Sequence, residues 1–105
     1  MNNSSEKLNI GDILESKWGY GQTNVDYYEV RALTPKGVKI QQIKSDRVYT
    51  DSMCGSCIPV RGMYIGIEMK KLVKSIPNGT KYLQLTSFST AWKWNGLPNF
   101  FSEWY

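Results

Sequence analysis

Histidine is absent from the 105 residues. That removes His-based triads, His-zinc sites and the commonest general base in one step. Long apolar runs are also absent, so no segment of the sequence reads as a membrane-spanning helix. The start, Met1 to Lys7, is polar and has no apolar core segment, so no signal peptide is expected and the expected location is cytoplasmic. Asn3-Ser4-Ser5 and Asn78-Gly79-Thr80 match the glycosylation pattern, which carries no meaning without secretion. Acidic residues are scarce in one half. Residues 53–105 hold Arg61, Lys70, Lys71, Lys74, Lys81 and Lys93 against only Glu68 and Glu103, whereas residues 1–52 are balanced at seven cations and seven carboxylates.

Apolar and aromatic mass is plentiful. Hydrophobic residues make up 41% and aromatic residues 13% of the chain, enough to offset backbone ordering and exclude a disordered protein. The length suits one domain that hides roughly two thirds of its unfolded surface. The net charge of +4 lies wholly in the second half, which also holds nine of the fourteen aromatic rings. A basic, ring-rich half suits an acidic partner such as nucleic acid, and a solvated basic face is the plainer alternative.

Turn signals arrive about every 8–12 residues between short runs of Val, Ile, Tyr and Thr, the rhythm of an all-β barrel or sandwich. Residues 1–8 read as a flexible lead and 9–105 as a single β-rich domain. Strands are expected at 11–18, 25–34 and 38–43, with continuation of the last to Tyr49 left open. The reversal Thr34-Pro35-Lys36-Gly37 joins the second and third. Residues 51–62 contain Ser, Gly, both cysteines and Pro59, and read as a loop with one short strand near 58–60. Residues 63–75 fit a strand or a short helix. Asn78-Gly79 is a hairpin signal that should pair 72–75 with 81–86. The stretch from Phe88 to Tyr105 carries seven rings and reads as an arm that wraps the domain or presents a sticky surface. The expected fold is mostly β, a small SH3-like antiparallel barrel with an aromatic-rich C-terminal arm, as a monomer or homodimer.

Candidate binding residues fall in two groups. In the loop after the first strand, Gly19 and Gly21 permit tight turns, and Gln22, Thr23 and Asn24 can tie loop backbone together. That structural reading stands first. A recognition patch is the alternative, with Trp18 or Tyr20 stacking and Gln22 and Asn24 reading hydrogen-bond edges. Gly19-Tyr20-Gly21 lacks the spacing of a phosphate loop. In the basic half, Arg61, Lys70, Lys71, Lys74, Lys81 and Lys93 are placed to track phosphates, with Trp92 or Trp94 stacking on bases.

Cys54-Gly55-Ser56-Cys57 leaves three readings open. Zinc needs four ligands, which this chain can supply only if a dimer shares two thiolates from each copy. A redox pair lacks its βαβ context. Two thiols in a loop is the plainest reading, and no cofactor is expected. Asp12, Glu15, Asp26 and Glu29 lie on neighbouring strands and can pair as carboxylates, but no nucleophile has an evident base, so the chain reads as non-enzymatic. Asp26 is the best candidate for a buried structural acceptor.

The segment Trp18-Gly19-Tyr20-Gly21-Gln22-Thr23-Asn24-Val25-Asp26-Tyr27-Tyr28-Glu29-Val30 resembles a stretch, W-G-Y-x-Q-T-N-V-D-[YF]-Y-x-V, of small uncharacterised phage and mobile-element proteins. In that family it follows a G-D-[IL] strand, here Gly11-Asp12-Ile13, and a W-x-G-x-P signature lies near the C-terminus, here Trp94-Asn95-Gly96-Leu97-Pro98. The family commonly has an acidic residue where this chain has Gly21. The resemblance covers most of 10–45 and a short stretch near the end. It implies a bacterial host cell and a phage or mobile-element setting, with no settled activity. Two functions follow as expectations. The first is an anti-defence protein, for example an anti-CRISPR, that binds and inhibits a host protein or protein–nucleic acid complex. The alternative is a nucleic-acid-binding module built on the basic, aromatic half.

Overall fold

The structure, a computed structural model, describes residues 8–19, 22–86 and 89–102. Every regular element among them is a strand: β1 Ile13–Trp18, β2 Asn24–Leu33, β3 Gly37–Tyr49, β4 Cys54–Ser75, β5 Lys81–Thr86, β6 Ser89–Lys93 and β7 Asn99–Ser102. All pairings are antiparallel. The order β3-β2-β1-β6-β5-β4 closes on itself because β4 also pairs with β3. β7 lies against the first residues of β4. No described helix is long and apolar enough to cross a membrane.

Two hairpins follow their turn chemistry. Thr34 and Gly37 exchange backbone hydrogen bonds around Pro35-Lys36. At the second, Gly79 N–H donates to Ile76 C=O at 2.9 Å and Thr80 N–H donates to the Asn78 side chain at 2.9 Å. Only Gly79 has positive φ there, so the turn uses Pro77 and Asn78 in ordinary conformations and glycine for the exit. Ser75 then faces Lys81 and Val73 faces Leu83, the pairing the Asn-Gly signal implies.

Side chains alternate across each strand, and here both faces are covered. Leu14, Tyr28, Val30, Val38, Ile40, Leu83 and Ala91 fill the inside of the closed sheet, with Leu8 packed against them. Tyr27, next to Tyr28, points outward and is equally buried. Its neighbours are Ile13, Val25, Ile43, Cys57 and Phe101, with the Trp94 ring alongside. This second core exists because β3 and β4 outrun the closed sheet and fold back over β1 and β2. The bend comes from extra residues in β4. Ile40 faces Met69 while Gln42 faces Ile65, and Ile43 faces Tyr64 while Ser45 faces Pro59. Gly66 and Gly62 supply the positive φ these bulges need, at 75° and 81°.

Two expectations are corrected. Residues 54–59 are ladder rather than loop: the turn ends at Met53, and Cys54 starts a strand held by β3 on one side and β7 on the other. Pro59 is tolerated beside a bulge, where a ladder N–H is dispensable. Two described segments of the expected arm, Ser89–Lys93 and Asn99–Ser102, enter the sheet. β6 lies between β1 and β5, and β7 places Phe101 in the second core. Tertiary pairing overrides the weak local signals of these segments.

Candidate functional site

Register brings a row of outward side chains together. Lys74 faces Tyr82, Tyr82 faces Trp92, and Trp92 faces Glu15 across β4, β5, β6 and β1. The Tyr82 and Trp92 rings lie 5.1 Å apart at 34°, and Trp92 remains 37% exposed. Two positions along β4 from Leu72, exposed Lys70 faces exposed Lys39 of β3. Like charges directly opposite on a sheet are unfavourable in isolation. The face therefore carries three exposed ammonium groups beside a tilted ring pair.

The other candidate cations are occupied elsewhere. Lys71 faces Val38, on the opposite side of β4 from Lys70, and donates to Leu85 C=O at 3.0 Å. Arg61, on the β4 bulge, donates to Gly11 C=O. Lys93 pairs with Asp12 at 3.6 Å. Lys81 is half-buried beside Leu8, Pro35 and Val73. Of the residues singled out in the basic half, Lys70, Lys74 and Trp92 share one face. Lys39 and Tyr82 complete it. Neither stood out in sequence, because only the register of β4 with its two neighbours reveals them.

The first candidate group serves the fold at β1 and β2. Trp18 Nε1 donates to Asp26 Oδ2 at 2.8 Å, so Asp26 is an acceptor, though half-buried rather than buried. Thr23 and Ser102 tie this loop to β7: Thr23 N–H donates to Ser102 Oγ at 2.9 Å, and Ser102 N–H to Thr23 C=O at 2.9 Å. Asn24 and Gln22 are half-buried. The Asn24 amide packs so closely on Gly19 that a Cβ there would collide with it. Tyr20 lies outside the described residues, as do Phe88 and Trp104.

Trp94 is half-buried and packs against the second core. Its ring meets Tyr27 edge-on at 6.1 Å, and its Nε1 donates to Leu97 C=O at 2.8 Å. Behind it, Asn99 Nδ2 donates to Tyr27 Oη at 2.9 Å and lies 3.1 Å from Glu15 Oε1, and Tyr27 Oη donates to Cys57 C=O at 3.1 Å. Burial pushes the Tyr27 phenol far above its ordinary range; the Asn99 bond opposes that, and Cys57 adds to it.

The two thiols do not converge. Three positions apart on a paired strand, their side chains leave opposite faces, with backbones about 10 Å apart. Strand geometry therefore keeps the two thiols of one copy from converging on one point as a C-x-x-C pair in a loop would. Cys57 is buried against Tyr27. Cys54 donates to Asp51, whose carboxylate raises the thiol pKa while Met53 N–H holds Asp51 low. The candidate carboxylates of β1 and β2 divide between the two faces. Glu15 and Glu29 point outward and Asp26 inward, and Glu29 accepts from Tyr64 Oη at 2.9 Å.

A second surface lies on the folded-back ribbon. Val48 faces Ser56 and Ser56 faces Phe100, with Ile58 two positions along. These apolar residues are 63%, 59% and 40% exposed for Val48, Phe100 and Ile58. Comparison with known proteins gives no relative: no known family, curated protein or solved structure matches the chain.

Proposed function

We propose that the chain is a non-enzymatic binding module that grips a single-stranded nucleic acid on the outer face of β4, β5 and β6. One observation carries the reading: Lys74, Tyr82 and Trp92 are successive cross-strand partners, beside the Lys39–Lys70 pair. The exposed Trp92 ring, backed by half-buried Tyr82, offers bases a stacking platform, and ammonium groups at strand spacing offer phosphates their counter-charge. A flat face of this kind suits a strand with its bases turned out more than a duplex groove. The closed sheet supports reading the fold as an SH3-like barrel carrying one added strand.

The test is fluorescence polarisation of labelled single strands at several salt concentrations. Three phosphate contacts give a slope of log K against log salt of about −2. Lys70→Glu with Lys74→Glu should lower affinity and make the slope shallower by about 1.4. No binding at low salt removes the reading.

The exposed row of Val48, Ile58 and Phe100 favours a second reading, an anti-defence protein that docks on a host factor. The resemblance to phage proteins supports it. A stoichiometric, nuclease-resistant complex that disappears in Phe100→Ser is its expected signature. A complex indifferent to that substitution argues against this face.

A further inference from the structure

Inside the closed sheet the packing is uneven. Leu8 packs at the end where Leu33, Pro35 and Val73 lie. At the opposite end the interior stays open as a cleft of ≈ 300 Å³, walled by Trp18, Tyr28, Met69 and Leu85, with Ser16, Asp26, Thr86 and Ser89 as its polar groups; the Thr86 and Ser89 hydroxyls bond each other at 2.8 Å. Mouths of closed sheets are common ligand sites, and this volume is at the small end of their range. It suits one planar ring system.

Two features indicate what such a ring must carry. Ser16 is 1% exposed, and among the described residues its Oγ has no hydrogen-bond partner. A buried hydroxyl in that state is costly, and a polar group entering the cleft satisfies it. Asp26 uses Oδ2 to hold the Trp18 indole, which fixes that ring as a wall. Among the described residues its other oxygen has no donor. A carboxylate at the edge of an apolar slot selects a flat molecule with N–H groups on its rim, as amino-bearing bases have. Tyr28 stays protonated, through burial and the nearby Asp26 charge, so it adds no second anion.

We infer that this mouth holds a single nucleobase, stacked against Trp18 with its exocyclic amino group on Asp26. The inference builds on the single-strand reading and adds where one base goes. Lys70, next in the chain to Met69, connects the mouth to the basic face. Cytosine, adenine and guanine have the required amino group and uracil does not, so the site discriminates against uracil.

Nuclear magnetic resonance of the whole chain tests this with free nucleosides, which need no phosphate contact. Cytidine should shift the Trp18 indole N–H, Ser16 and Tyr28 signals, with uridine weaker by about tenfold, the scale of one stacking or pairing interaction. Asp26→Asn keeps an acceptor for Trp18 and should erase the difference between cytidine and uridine. Ser16→Ala should weaken cytidine without touching the salt slope of strand binding. If no nucleoside shifts these signals at about 10 mM, a weak-binding limit, the inference is overturned. Strands of cytidine separate the two claims. Strand binding without nucleoside shifts, unchanged in Asp26→Asn, removes the mouth and keeps the outer face. Nucleoside shifts without strand binding remove the outer face and leave a site for free nucleosides or nucleotides.

Discussion

Asn99 and Tyr27 are joined by a 2.9 Å hydrogen bond across 72 positions of chain, inside the second core. The bond fastens β7 to β2, and Asn99 continues it to Glu15 on β1. Asn99→Leu removes the donor and leaves the Tyr27 hydroxyl and the Glu15 carboxylate less satisfied. The expected cost is about 2 kcal/mol, within the range for unpairing buried polar groups. Tyr27→Phe should cost about 1 kcal/mol because Asn99 retains Glu15. Urea unfolding with both single variants and the double variant measures the coupling. Additive losses would mean that the two groups do not act as one unit.

Alkaline pH should unfold the protein through its buried phenols. Burial raises Tyr27 and Tyr28 above the ordinary value near 10, so the folded state keeps both protonated where the unfolded chain loses them. Their stabilisation is complete below about pH 10 and falls as pH rises above it, by at most about 1.4 kcal/mol per unit for each phenol. Denaturant titrations at stepped pH should show a plateau and then a decline. Absorbance at the phenolate band should rise for these two residues only on unfolding. Tyr27→Phe removes part of the decline.

The thiols should react in two separate steps. Cys57 is buried and should resist a thiol reagent until the protein unfolds. Cys54 is reachable, but its proton is held by Asp51, so it should react more slowly than an ordinary exposed thiol near pH 8. Asp51→Asn removes that acceptor charge, lowers the thiol pKa and speeds the reaction. Equal rates in the two proteins would sink the assignment. Mild oxidants should yield no intramolecular disulfide in the folded chain, because the thiols leave opposite faces of β4.

Legibility in the sequence tracked locality. The hairpins at Thr34–Gly37 and Ile76–Thr80 were readable because Pro, Asn and Gly determine their own backbone. Strands β1 and β2 were readable from short alternating runs, within a residue or two. β4 was not, because its hold on Cys54–Ser56 comes from β3 and β7, far away in sequence. Tyr27 and Tyr28 are adjacent yet both buried, a pattern that alternation alone assigns to one buried and one exposed ring. The basic face was half visible: Lys70, Lys74 and Trp92 stood out by composition, whereas Lys39 and Tyr82 required the register.

Gly55 should prove intolerant of a side chain. A Cβ there would run into the Val48 carbonyl across the ladder, with no flexible atom to yield. Its φ is not in the left-handed region, so the demand is for space alone. Gly55→Ala should destabilise the folded-back ribbon by about 3 kcal/mol, the upper end for overpacking. Gly79→Ala serves as a contrast: nothing crowds its Cβ, but φ is +97°, so its smaller loss should come from backbone strain. Thermal melts of the two variants check the order. A Gly55→Ala loss no larger than that of Gly79→Ala would overturn the close approach.

Lys39 and Lys70 set stability against binding. Facing each other across β3 and β4, they repel, and a structural role gives no reason to keep both. Lys70→Glu converts the repulsion into an attraction and should raise stability by about 0.5 kcal/mol at low salt, fading as salt screens it. The same change places a negative charge where a phosphate is proposed to lie, so single-strand affinity should fall and the salt slope should become shallower. The two readouts move in opposite directions only if the pair serves a ligand. A more stable variant with unchanged strand affinity would make the face a solvated surface. A less stable one would mean that the two side chains do not meet across the ladder.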